Sequence, residues 1–134
     1  DNLIEDNMQD SSPLYAKFIQ YEQPYKVLLY TATFDTACGA LSTESILYDL
    51  DKWNNPEDHK NWQNLARKIW AQPHTTIKGF IKQYKNLTQI VIPNSGHQVP
   101  YYKPEISRDM ICKWMKGNDF PLYSAKIKTM EDKP

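Results

Sequence analysis

The run Lys26-Val27-Leu28-Leu29-Tyr30-Thr31 constrains the fold more than any other stretch of this chain. It is β-prone and lacks polar alternation, so it reads as a strand apolar on both faces. Such a strand belongs inside a sheet covered on two sides, which usually means a parallel α/β sheet. Directly after it comes Ala32-Thr33-Phe34-Asp35-Thr36-Ala37-Cys38-Gly39, a turn of mostly small residues that sets a carboxylate just past the strand's C-terminal end. In open α/β sheets that edge is where ligands and chemistry sit.

A second titratable residue stands in the matching place. Thr76–Tyr84 and Leu87–Ile92 read as two strands joined tightly at Lys85-Asn86, and the second ends at Pro93-Asn94-Ser95-Gly96-His97. Two turns at one sheet edge would then present Asp35 and His97. Their order in the chain is the second half of Ser…Asp…His, the order found in α/β-hydrolases.

The spacing of apolar residues predicts the flanking helices. Pro13 after Ser11-Ser12 marks a helix start, with Leu14, Phe18 and Tyr21 on one face and Pro24 as its stop. Ser42–Trp53 reads as a helix with Ile46, Leu47 and Leu50 as its stripe, capped within Ser42-Thr43-Glu44-Ser45. Residues 54–60 look like a polar loop that holds His59 in solvent, and His74 after Pro73 reads the same way. Trp62, Leu65, Ile69 and Trp70 are spaced like one more helix face. Ile106–Met115 forms a last helix with Met110, Ile111, Trp114 and Met115 inward and Gly117 closing it. Cys112 falls on that apolar face as filler. Residues 124–134 read as a loose tail.

Composition narrows the function classes. The chain has 134 residues, with 16 basic and 16 acidic side chains, so no polyelectrolyte partner is implied. A nucleic-acid or anionic-membrane binder would carry a basic excess. A mean hydropathy of -0.71 is polar for a self-sufficient enzyme. No run reaches the roughly 18 apolar residues of a membrane span. Cys38 and Cys112 supply neither a disulfide framework nor metal-ligand spacing. Asn86-Leu87-Thr88 is the single glycosylation triplet and points to a secretory history. The chain opens Asp-Asn-Leu without an initiator Met and reads as a processed piece or an expressed segment.

Tyr25–Asp35, the Gly96-His97-Gln98-Val99-Pro100 box and Lys103-Pro104-Glu105 together resemble the serine carboxypeptidases. Within them the chain is most similar to the vitellogenic-carboxypeptidase-like branch, through Leu41-Ser42-Thr43-Glu44-Ser45, Ala66-Arg67-Lys68-Ile69-Trp70 and Gly79-Phe80-Ile81-Lys82-Gln83. The resemblance runs from about Asn2 to Tyr123. It implies that residues 1–134 form the C-terminal, small-chain-like segment of one α/β-hydrolase domain. That fold is a mostly parallel sheet flanked by helices, incomplete without an N-terminal partner segment.

The resemblance also implies roles. Asp35 matches the triad acid and His97 the triad base, while Cys38 and Gln98 match residues lining the substrate pocket. Cys38 stays open between pocket wall and buried filler. The nucleophilic serine of the family lies in an N-terminal segment, and no Gly-x-Ser-x-Gly occurs here. The implied activity is release of C-terminal amino acids from peptides, without metal or organic cofactor, in a secreted, lysosomal or vacuolar glycoprotein.

Three features depart from the family: Ala32 replaces the usual Gly, Thr33 an acidic residue, and Asn94-Ser95 a pair of small residues. Larger side chains at tight turns would displace Asp35 or His97. The rival reading that they favour is a carboxypeptidase-like protein without catalysis, kept as a binding or structural component of an assembly.

Overall fold

The computed structural model describes residues 25–49, 53, 55–71 and 76–123, together with Leu14, Lys17 and Phe18. The predicted helix after Pro13, His74 and the tail at 124–134 lie mostly or wholly outside those residues.

Four strands form one sheet in the order β1-β4-β3-β2. They are β1 (Val27–Ala32), β2 (Lys68–Ala71), β3 (Ile77–Tyr84) and β4 (Leu87–Ile92). β1 and β4 pair in parallel, from Val27 against Leu87 to Ala32 against Ile92. β3 pairs antiparallel with both β4 and β2. Two of the three ladders are therefore antiparallel and the described sheet is mixed; the mostly parallel sheet that the resemblance implies is that of the complete domain, and the tight β3–β4 joint is the one read in the sequence. That two-residue connection, Lys85-Asn86 with Lys85 at φ 49, can join only antiparallel neighbours.

Burial also differs from expectation. The strand buried along its whole length is β4, all six residues of it, because it is central. β1 lies at an edge of the described sheet and is partly covered, with Tyr30 40% exposed.

Helices cover both faces. α1 (Ala40–Tyr48) and α2 (Pro56–Asn64) lie on one side, and α3 (Val99–Tyr102) and α4 (Pro104–Lys116) follow β4 on the other. β4 alternates between two cores: Ile90 and Ile92 join Ala32, Trp70, Ile81, Val99, Met110 and Phe120, while Leu87 joins Leu47, Trp53 and Trp62.

Several predicted elements shift. α1 starts at Ala40, with Gly39 as its N-cap, rather than at Ser42, and ends at Tyr48 with Asp49 as its C-cap. Trp53, expected at the end of that helix, instead folds back and donates its indole N–H to the Leu47 carbonyl at 2.9 Å. The supposed polar loop is α2, capped by the Asn55 side chain on the Glu57 N–H, with Pro56 in its first turn and Glu57 and Asp58 suiting its positive end. The predicted helix face breaks after Trp62: Ile69 and Trp70 belong to β2, where Trp70 pairs with Gly79 and is fully buried. His59 is buried, not solvated, because its ring lies against Trp53 and its Nε2 bonds the Tyr48 carbonyl at 2.9 Å.

On α4, Met110 faces the core, whereas Met115 is 70% exposed and Cys112 is exposed as well. Both fall off the stripe that Ile106, Met110, Ile111 and Trp114 make at helical spacing. Gly117 ends the helix at φ 68, as expected.

Candidate active site

Because β1 and β4 are parallel and in register, their C-terminal ends meet at one edge. Asp35 stands three residues past Ala32 and His97 five past Ile92, so the topology alone brings the two turns side by side.

The acid turn closes on its own carboxylate. Asp35 Oδ1 accepts the backbone N–H groups of Ala37 and Cys38, each at 2.9 Å. Asp suits such turns because its short side chain reaches the backbone two or three residues on. Gly39 then permits a close approach: a Cβ there would sit 2.6 Å from the Asp35 carbonyl oxygen.

The base turn leaves β4 through Asn94, which is in the left-handed region at φ 53. Asn tolerates that conformation better than most residues. Ser95 is buried beneath the turn. Gly96 lets the Tyr102 ring approach, since an added Cβ would meet its edge at 3.0 Å.

The two turns meet at His97 Nδ1 and Asp35 Oδ2, 2.9 Å apart. A carboxylate only accepts, so Nδ1 carries the proton and donates it to Asp35. The Asp35 side chain is 5% exposed and that of His97 62% exposed. Among the described residues nothing bonds Nε2, the ring nitrogen left to take a proton. Several interactions hold the Asp35 carboxyl below its ordinary pKa. The Cys38 backbone N–H contributes most, followed by the His97 hydrogen bond, the Ala37 N–H and the His97 charge, against burial that pushes it up. Asp35 therefore stays ionised and fixes the imidazole tautomer.

The departures noted in the sequence do not pull the pair apart. Ala32 is buried and Thr33, Asn94 and Ser95 are accommodated with the Asp35–His97 bond formed. Cys38 is exposed beside Asp35 and is therefore not buried filler, and Gln98 is exposed beside His97, where its carbonyl caps α3. Asn86 sits in the β3–β4 hairpin, and its Nδ2 donates to the Phe18 and Tyr25 carbonyls at 2.9 and 3.2 Å. The backbone N–H clamp of Ala37 and Cys38 escaped the sequence reading. Its one signal is an Asp followed by small residues and a Gly. Among the described residues, no three His, Cys, Asp or Glu side chains gather to hold a metal, and no helix is long and apolar enough to cross a membrane.

A family model described as serine carboxypeptidase matches residues 2–117. The chain belongs to this family. Among curated serine carboxypeptidases, it is 31% identical over 115 residues to the venom serine carboxypeptidase of Apis mellifera, covering 86% of this chain and 23% of that one. It is 29% identical to the probable serine carboxypeptidase CPVL of Homo sapiens, covering 90% of this chain and 24% of that one. The chain thus spans about a quarter of the length of these relatives. Among solved structures, the fold is similar to that of a prohormone-processing carboxypeptidase from Saccharomyces cerevisiae. The TM-score is 0.55 at 18% identity, over 69% of this chain and 20% of that one.

Proposed function

We propose that this chain supplies the acid and the base of a serine-type carboxypeptidase, with the nucleophilic serine on a segment outside it. The observation that supports this is the Asp35–His97 pair at the C-terminal sheet edge, with the His97 side chain 62% exposed and Nε2 bonded by none of the described residues. In the proposed reaction His97 Nε2 takes the serine hydroxyl proton as the oxygen attacks the last peptide carbonyl, and then returns it to the leaving amino acid. Asp35 holds the tautomer and stabilises the imidazolium formed in between. Water next attacks the acyl-enzyme, with His97 as base again.

Cys38 and Gln98, exposed on either side of the pair, are proposed to line the pocket for the released residue. The serine-bearing segment would pack along β1, whose outer edge is open in the described sheet. The reading extends to the secretory pathway, lysosomal or secreted, with peptides as substrates; the carboxypeptidase names of the relatives, one of them a venom protein, support it.

The test uses the protein assembled with its serine-bearing segment and a fluorophosphonate that labels activated serines. Wild type should be labelled and should release C-terminal residues from a blocked dipeptide, and His97→Ala should abolish both. A wild-type protein that is folded but unlabelled would favour the non-catalytic binding component instead.

A further inference from the structure

We propose that Thr33 is a positioning residue whose hydroxyl oxygen holds the His97 turn over the Asp35 carboxylate; the inference rests on the acid–base reading above. The β1–β4 ladder does not stop where the strands end. Thr33 N–H donates to the Ile92 carbonyl at 3.1 Å, and Phe34 N–H donates to the Ser95 carbonyl at 3.0 Å. In a parallel ladder with Ala32 opposite Ile92, the next rung is the Asn94 N–H on the Thr33 carbonyl. That rung is replaced. The Asn94 N–H instead reaches Thr33 Oγ1 at 3.0 Å.

The hydroxyl thus stands in for a backbone acceptor as the chain turns away toward Asp35. Besides the Asp35–His97 bond itself, this is the side-chain hydrogen bond among the described residues that ties the acid turn to the base turn. It pins the N–H of Asn94, the positive-φ residue in the turn that follows β4. A residue that reads in the sequence as a departure from the family is, in this chain, a side-chain link between the two turns, beside the Phe34 N–H bond to the Ser95 carbonyl and the His97–Asp35 bond itself.

Thr33 is exposed, so a substitution there opens no cavity. Thr33→Val keeps the shape and removes the acceptor, while Thr33→Ser keeps the acceptor and removes the methyl. In the protein assembled with its serine-bearing segment and labelled with 15N-histidine, the His97 Nδ1–H proton reports the bond to Asp35 directly. Thr33→Val should broaden that resonance through faster exchange with water. It should also lower kcat by about 10- to 100-fold with KM unchanged, as expected for a misplacement of the order of an ångström. Thr33→Ser should restore both.

An unchanged resonance and kcat in Thr33→Val overturn the proposal. So does a Thr33→Ser variant as impaired as Thr33→Val, since packing of the methyl would then be responsible. If wild type shows neither turnover nor fluorophosphonate labelling, the acid–base reading fails, and the Nδ1–H proton alone decides the role of Thr33. Its loss in the Val variant and retention in the Ser variant support the latch, and any other pattern refutes it.

Discussion

Replacing Asp35 with Asn tests the orientation of the pair more sharply than deleting it. In the native turn one carboxylate oxygen accepts two backbone N–H groups, from Ala37 and Cys38, and the other accepts His97 Nδ1–H. An amide in the same place has one acceptor and one donor end. Two backbone donors face the first position, so the amide oxygen must sit there, and the NH₂ group is directed at His97 Nδ1, 2.9 Å away in the native protein. Nδ1 then has to accept, which moves the imidazole proton to Nε2. The nitrogen that should take the serine proton is thereby already protonated.

The turn itself survives, because both backbone bonds survive. Asp35→Asn should therefore fold like wild type yet lose about 10⁴ in kcat, the loss typical of a triad histidine held in the wrong tautomer. The assay is steady-state hydrolysis of a blocked dipeptide, together with 15N shifts of His97 at a pH where the ring is neutral. Retention of more than about a tenth of wild-type kcat, or a proton still on Nδ1 in the variant, would refute the reasoning, because an effect far below 10⁴ leaves no tautomer lock to explain.

Acid should unfold the chain through its paired carboxylates. Asp35, Asp58 and Asp109 all titrate below 3.8 in the folded state. For Asp58 burial pushes up, but the Lys85 and Tyr84 hydrogen bonds outweigh it; for Asp109 burial is outweighed by the Lys113 and Lys78 bonds. Their stabilisation is present above 3.8 and lost as pH falls through the folded values, so Asp58→Asn and Asp109→Asn should each flatten the acid side of a stability–pH curve. Lys82 is buried over the Trp62 and Tyr48 rings at 4.8 and 5.4 Å, and its pKa is lowered first by burial and then by the Arg67 charge. Charged Lys82 therefore costs stability at neutral pH, and wild type should gain on Lys82→Met as pH rises from the lowered folded value toward 10.5, read by urea unfolding across that range. A parallel pair of curves would refute this. Enzymatic deglycosylation should lower the mass of the native material, because Asn86-Leu87-Thr88 is the single glycosylation triplet and Asn86 lies in the short β3–β4 connection; an unchanged mass would show Asn86 unmodified.

Local chemistry was legible in the sequence where one residue type answers one local demand. β-branched and aliphatic runs made β1 and β4 readable, Gly117 marked a helix end that needs positive φ, and a carboxylate and an imidazole just past two strands marked the site. Periodicity misled where two elements share a stripe. Trp62 and Trp70 are eight residues apart and fit one helix face, yet Asn64 ends α2 and Trp70 is needed on β2 opposite Gly79, where no Cβ competes for its space. The Asn55-Pro56-Glu57-Asp58 start of α2 was written in the chain but looked like a loop, because His59 and Trp62 show as a buried face only once Trp53 folds back over them.

Which strand is central, and which way each neighbour runs, depends on pairings between residues some 60 positions apart, and no local preference encodes them. The same holds for the site. The sequence determined that an acid and a base would each stand at a strand end. Only the tertiary structure decided that they meet, because that requires β1 and β4 to be parallel, adjacent and in register, so that their turns leave the sheet at one edge.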